Sequence, residues 1–566
     1  MTQTTKSPSR YMGGPVQVET GPRGAIAEAS YIAHSHQFGR KLHKVGEGVW
    51  CHVGSCLGNS TMIEGENGLI IVDTGDCVEQ SQQQNEDFRK VSSKPVSALL
   101  YTHSHYALGS RTYIPLGEDG KTPVWAHKAL MTNLARTVGD LVPFLTRRVA
   151  IQFGMFLPRD GEDSLPNQGL GPFFFELDKY KPTSGFVRPT NDIEDGQEAT
   201  IDGVRFKFFH AEGDTDDTLL IWMPDRKTVI NNIAWPVMFN IYTLRGEMFR
   251  NPVKLLRGLD LMLELEPEHM IGVHGLPISG KDAIKQAVTE YRDCIQFTYD
   301  QTVRGINAGL SPAELVEFVK LPPALANGRL TGQFYGELPF YVRQIYAGLV
   351  GWFGVDTVEL HPVAPADEAA RLINLAGGAE KMFEAAEKSL VAREYSWAAQ
   401  LATYLLRLSP NEARYKTLKA KALRAMGQVT TASNTRSWYL TQARELEGSV
   451  DTRQLPIRFA NEAMVKQMPP LTYVNALRFK IAPELSAAGA KLVRLALGGA
   501  GTFDLHLRHG VVEVRQPTPG STADCQIELG FDDWAKMNGG AKASVDLAAI
   551  KISGDANLGR RIVDAI

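Results

Sequence analysis

Apolar residues along the chain change their spacing twice. From about residue 45 to 284 they fall in short runs bounded by Gly, Asn and Asp: GVWCHVG, STMIEG, GLIIVDTG and VSALLYTHSH, then ATIDGVRFKFFHAEGD, DTLLIWMPD, KTVINNIAW and HMIGVHGLP. Such runs predict strands, first at hairpin spacing and then as buried apolar segments. The expected unit is an α/β sandwich whose strands end in polar loops, where ligands collect. From 285 the period becomes helical. KDAIKQAVTEYRDCIQFTYDQTVRGINAGL runs to Gly309, and SPAELVEFVKL opens with a Ser N-cap followed by Pro. The stretch EYSWAAQLATYLLRLSPNEARYKTLKAKALRAMGQ has the small/large alternation of a tetratricopeptide-like helix pair. One pair cannot bury both its faces, so it should pack on its neighbours or on another chain. Strands return in the last hundred or so residues. GTFDLHLRHGVVEVRQ reads as a hairpin alternating Phe503, Leu505 and Leu507 with polar positions, and DCQIELGFDDWAKMNGG as strand then helix. Nothing in that small α+β module looks catalytic. The expected divisions are an extension over 1–44, the sandwich over 45–284, helices over 285–448 and the module over 449–566.

A chain of 566 residues is long enough for several such cores. The formal charge of −3 argues against a nucleic-acid or anionic-membrane surface. No uncharged apolar run is long enough for a membrane span, and FYVRQIYAGLVGWFG, which carries Arg343, reads as a buried or interface helix. The first residues lack an apolar signal core. Cys51, Cys56, Cys77, Cys294 and Cys525 form no dense framework, so reduced, packed thiols in a cytoplasmic protein are expected.

Four strand ends carry candidate chemistry. In LLYTHSHYALGS, His103 and His105 project to the same side because strand side chains alternate. Zinc accepts two such nitrogens readily and in catalytic sites takes a third protein ligand plus water. In FFHAEGDTDD, His210 and Asp214 follow a strand, while Asp216 and Asp217 read as a solvated acidic turn. Asn231 and Asn232 end the run TVINNIAW, and His274 sits between strand and turn in MIGVHGLP. Each is ordinary alone; their order is informative.

That order resembles the metallo-β-lactamase fold. The segments STMIEGENGLIIVDTG, LLYTHSH, QFGMFLP, IYTLRGE and VHGLP resemble its alkyl/aryl-sulfatase branch. So do the helical segments YDQTVRGINAGLSPAEL, LPPALA, YAGLVGWFG, VELHPVAP and SWAAQLATYLL, which are similar to that branch's dimerisation domain. The terminal module resembles its sterol-carrier-like domain. The resemblance implies an αββα sandwich, an all-α dimerisation domain making a homodimer, and a small α+β domain.

It also implies ligands, with telling departures. The family motif H-x-H-x-D-H serves two zinc ions; this chain keeps His103 and His105 but has Ala107 and Leu108 in place of Asp and His. The family's first acidic ligand matches Asp214, its bridging Glu falls on Asn232, and its final histidine falls on His274. The positions of the first metal thus keep ligand atoms, while those of the second or the bridge lose them. Two ions about 4 Å apart need several anionic ligands to offset their repulsion. One metal on His103, His105 and Asp214 is therefore expected, zinc first, with iron open because two His and a carboxylate also suit it. Such an ion lowers the pKa of a bound water toward neutrality and makes a hydroxide nucleophile. Asn232 would at most orient that water. His274 either swings in as fourth ligand or stays free as acid or base. The family's sulfate-holding residues match Arg245 and Asn240, although an Arg245–Glu247 pair is the alternative. The family's histidines just upstream are Pro236 and Phe239, and Tyr106 could line the pocket. The expected activity is cleavage of a sulfate ester of an apolar alcohol. A phosphoester or lactone, or a catalytically weak small-molecule-binding protein on the same scaffold, are the alternatives.

Overall fold

The computed structural model describes residues 9–566 apart from Val138, Asp140, Phe459 and Ala488. Two sheets face each other between residues 41 and 279. The first has seven strands in sequence order, from Lys41–Gly46 to Asn191–Ile193, and the second has six, from Glu198–Ile201 to Ile278–Ser279. Each begins antiparallel and turns parallel part-way. In the first sheet the change comes where Leu69–Val72 pairs with Val96–Leu100, and in the second where Thr228–Asn231 pairs with His269–Gly272. Strands of the parallel kind are buried on both faces, which is why Leu69–Val72 is apolar throughout.

Local chemistry fixes the hairpins. Ile201 pairs with Val204 across a two-residue Asp202-Gly203 turn, with φ of 45° and 79°. Positive φ at both positions matches the right-handed twist of the flanking strands. Val204, Phe206 and Phe208 then point inward at alternate positions to meet Val49, Ile70, Val72 and Leu100 of the other sheet. The helices Val78–Arg89 and Pro252–Glu264 cover the outer faces, completing the expected αββα sandwich.

Beyond Lys281 the chain is helical to Leu446. Tyr395–Leu408 and Ala413–Val429, the tetratricopeptide-like pair, bury Ala398, Ala399, Ala420 and Met426 together with Ala443 of the next helix. The pair thus packs on its neighbours within the chain. The terminal module is a five-stranded sheet with Phe503, Leu505 and Leu507 buried as the alternation requires. All five cysteines are free and buried. Among the described residues no helix is long and apolar enough to cross a membrane.

The N-terminal segment is a strap rather than a loose extension. Its hairpin, Val18–Thr20 with Ile26–Glu28, lies against the helical region through Arg436, a fully buried side chain on Ser433–Leu446. Arg436 donates from Nη1 to the carbonyls of Ile26 and Gly427, from Nη2 to those of Glu162 and Ser164, and from Nε to Ser164. One guanidinium so joins strap, sandwich loop and helices. Burial draws its pKa down to about 10, leaving it charged at neutral pH. Arg436→Ala would leave four carbonyls without this donor, those of Gly427 and Ser164 buried, and should cost about 3 kcal/mol or more. A lowered thermal unfolding temperature and faster proteolysis near Ile26 would report it, with Arg436→Lys in between.

Candidate metal centre

Strands of both sheets lead into the loops that carry the site. Thr102, which follows Val96–Leu100, accepts the Leu219 N–H through its carbonyl at 2.8 Å, so the two sheets are joined beside the site. Asn59 adds a second join: its N–H donates to the Val273 carbonyl, and its amide to those of Gly272 and Gly275 at 2.9 and 2.7 Å.

Among the described residues, His103, His105 and Asp214 form the one cluster of three or more His, Cys, Asp or Glu side chains able to hold a cation. Their ligand atoms lie within 4.8 Å of one another. His103 Nε2 is fully buried and has no hydrogen-bond partner. Its other nitrogen explains the orientation. Thr102 donates from N and Oγ1 to the two oxygens of Asp73 at 2.8 and 2.7 Å, so Thr102 Oγ1 accepts from His103 Nδ1–H at 3.0 Å. The lone pair on Nε2 is thereby aimed into the cluster, as outer carboxylates and hydroxyls aim the ligating nitrogen of metal-bound histidines. Asp73 itself stands at φ 58°.

His105 Nδ1 lies 2.6 Å from Asp214 Oδ2 and its Nε2 lies 3.6 Å from Glu247 Oε1. Burial acts against charge on this ring, yet the two carboxylates outweigh it and raise its pKa to about 9. The cluster therefore draws a positive charge strongly. An orphaned imidazole nitrogen, a second imidazole and a carboxylate fit a divalent ion of the zinc type. Asp214 reaches its place because residue 213 is Gly; a Cβ there would stand 2.6 Å from the Asn232 carbonyl.

The other expected residues are placed differently. His274 lies outside the cluster. Its Nδ1 donates to the Leu57 carbonyl at 2.9 Å, and its Nε2 accepts from Tyr106 Oη at 3.3 Å. Burial pushes its pKa down to about 4, so the ring is neutral. Asn232 accepts the Trp235 indole N–H on Oδ1 at 3.0 Å, which leaves its amide NH2 buried without a partner. An NH2 group can donate to an oxygen but cannot ligate a cation. Asn240 is buried against Gly336 and does not line the cavity described below; its own carbonyl accepts from Arg250 Nη1 at 2.7 Å. Asp217 is not the solvated residue the sequence implied. It is fully buried, accepting from Asn133 at 2.7 Å and Ser104 at 3.4 Å, and so ties the His105 turn to the Asp214 turn.

Ala107 and Leu108 have become packing residues. Ala107 pairs with Gly75 as an isolated bridge and is fully buried, while Leu108 joins the wall of a cavity of about 1140 Å³ beside the cluster. Leu57, Leu145, Phe153, Phe174 and Leu255 make that wall largely apolar; Tyr106, Arg245, Asp214 and His105 lie at its polar part. Gly58 makes room for the Tyr106 ring, which a Cβ would approach to 2.8 Å. The helix Pro470–Lys480 of the terminal module adds Thr472, Asn475, Arg478 and Phe479 to the lining.

The Arg245–Glu247 pair that the sequence offered as an alternative is formed, while two further residues, Arg250 and Asp76, went unread. Arg250 contacts Asp214 Oδ1 and Glu247 Oε2 at 2.5 and 2.7 Å, and Glu247 also pairs with Arg245 at 2.7 Å. These cations hold both carboxyls far below their ordinary values despite burial. Asp76, next to the Gly75 bridge, lines the cavity with one carboxyl oxygen unpartnered, and burial raises its pKa to about 8. Nearness to Arg245 in the sequence was the signal for Glu247; Arg250 and Asp76 had none.

A buried His-His-Asp cluster at the strand ends of an αββα sandwich defines a metallohydrolase-type centre. The metallo-β-lactamase superfamily model matches residues 53–106, and the alkyl sulfatase dimerisation model matches 311–449. A linear primary-alkylsulfatase from Pseudomonas sp. (strain ATCC 19151) is 35% identical over 474 residues, covering 80% of this chain and 88% of that protein. An alkyl/aryl-sulfatase of Saccharomyces cerevisiae is 29% identical over 426 residues, covering 73% of this chain and 65% of the relative. The solved structure of a stereoselective inverting sec-alkylsulfatase from Pseudomonas sp. shares the fold, with a TM-score of 0.84 at 21% identity, over 99% of this chain and 94% of that one. The chain belongs to the alkylsulfatase family of the metallo-β-lactamase superfamily.

The Thr102 relay can be tested on its own. Thr102→Val keeps shape but removes the hydroxyl that orients His103, and should weaken metal affinity by about 10-fold or more in a competitive chelator titration.

Proposed function

We propose that the protein hydrolyses sulfate esters of apolar alcohols with one divalent ion, zinc by preference, held by His103, His105 and Asp214. The observation that carries this reading is the Arg245 guanidinium lining an apolar cavity beside that cluster. Arg245 keeps a fixed positive charge there, and its planar fork suits a tetrahedral oxyanion group. The apolar wall suits an alkyl chain, so an amphipathic anion fills both parts of the cavity.

An ion in the cluster supplies Lewis acidity and an activated water. The chain's own residues do the rest. Neutral His274 is within reach of the Tyr106 hydroxyl and can accept a proton at Nε2 without first losing one. The buried Asn232 NH2 has donors free for a water beside the cluster. Asn240 supports the Arg250 side chain through its carbonyl rather than facing the substrate. Support for a single ion comes from Arg250: a fixed cation already sits on the second oxygen of Asp214, where a second metal would meet its repulsion.

A homodimer belongs to the same reading. Besides the dimerisation-model match, the stretch 349–363 exposes Trp352 (72%) and Val358 (70%) along with Val350, Val355 and Val363. An apolar strip of that kind is suited to a second copy.

A direct test compares metal-loaded protein on matched medium-chain sulfate, phosphate and carboxylic esters. Turnover of the sulfate ester alone is expected, and Arg245→Ala should lower its kcat/KM by roughly 100-fold or more. Preference for the phosphate or the neutral ester would overturn the substrate class.

A further inference from the structure

The two guanidiniums beside the cluster are not equivalent. Arg250 is committed on every nitrogen: Nε to the Asp214 carbonyl, Nη1 to the Asn240 carbonyl, and Nη2 to Asp214 Oδ1 and Glu247 Oε2. Arg245 donates from its side chain only through Nη2, to Glu247 Oε2 at 2.7 Å; its Nε and Nη1 make no hydrogen bond among the described residues. Arg245 is therefore the guanidinium with donors left for a ligand, and Glu247 is the anion already on it.

A carboxylate oxygen and a sulfate-ester oxygen are alike as acceptors for a guanidinium, and both are negative. Held on adjacent donors of one Arg in a site shielded from water, they repel each other. Glu247 need not leave the site to release Arg245: its Oε2 also accepts from Arg250 Nη2 at 2.7 Å, and its Oε1 lies 3.6 Å from His105 Nε2. It follows Gly246, at φ 92°, in a stretch without regular secondary structure. Next to it, Met248 is exposed.

We propose that Glu247 is a specificity-determining residue, a resident anion on Arg245 that the substrate's sulfate displaces on binding. The proposal rests on the sulfate-ester reading above. Glu247 sets the affinity of the subsite for anions: it keeps Arg245 oriented while the cavity is free, and it competes with product sulfate, which favours release. A neutral ester has no anionic group to exchange and gains nothing from the displacement.

The test measures binding apart from turnover. Calorimetric titration of inorganic sulfate into metal-loaded wild type and Glu247→Gln, each first matched for metal content and thermal unfolding temperature, should show affinity at least about tenfold higher in the variant. Glu247→Asp, which keeps the charge, should stay near wild type. KM for a medium-chain alkyl sulfate should fall in parallel in Glu247→Gln, with kcat unchanged or lower. Unchanged or weaker sulfate binding in Glu247→Gln would overturn the proposal and leave Glu247 a scaffold for its arginines. If wild type cleaves no sulfate ester while Glu247→Gln still gains sulfate affinity, the substrate reading fails and the resident anion stands. If wild type cleaves the ester and the variant gains no affinity, the resident anion alone fails.

Discussion

Asp214 is a buried carboxylate with a positive partner on each oxygen, and the site is organised around that arrangement. Oδ2 faces His105 and the cluster, while Oδ1 is held by Arg250. A lone carboxylate in so dry a place would take up a proton, and the Arg250 contact keeps it charged and aimed. Arg250 in turn needs Glu247, and Glu247 holds Arg245 at the cavity. Asp214 and Arg245, metal ligand and anion subsite in the proposed reading, are thus parts of one chain of charge, in which removing any member leaves an uncompensated neighbour.

This arrangement explains what became of the second metal position. At the positions where the family motif has Asp and His, Ala107 closes a backbone bridge and Leu108 extends the apolar wall. Asn232, where the bridging carboxylate would stand, turns its acceptor to Trp235 and offers only a donor. His274 is held by Leu57 and Tyr106 instead of a metal. On the proposed one-ion reading, the space a second ion would take is bordered by the apolar wall at Leu108 and by neutral hydrogen-bonding groups. Asp76, next to the Gly75–Ala107 bridge and in the cavity lining, is favoured as the neutral acid by burial.

Where periodicity and turn chemistry act locally, the sequence was a good guide. The Asp202-Gly203 turn, the uniformly apolar Leu69–Val72 and the alternation through Leu507 all formed as their residues dictate. His103, His105 and Asp214 were legible because each follows a strand in an order that the family resemblance makes meaningful; the strand before the histidines stops at Leu100, and His105 sits in the short 3-10 turn Ser104–Tyr106. Arg250 and Asp76 were not, since their roles depend on contacts across loops that have no period. Asn240 was misplaced for the same reason: its stretch is irregular, and backbone direction there decides whether a side chain faces the cavity or Gly336. Asp217 shows the converse error. An acidic run looks solvated by composition, but one member is fully buried with donors from Asn133 and Ser104. The strap was invisible because Arg436 reaches across more than four hundred residues, from its helix to Ile26.

The central claim is that one ion, and not two, is held here. Its most direct test is elemental analysis of protein purified without added metal and after saturation with zinc, alongside a His103→Ala/His105→Ala variant. About one equivalent per chain is expected in the saturated wild type, with none retained by the variant. Two tightly held equivalents would contradict the account, because Arg250, Leu108 and Asn232 could not then have replaced the second site.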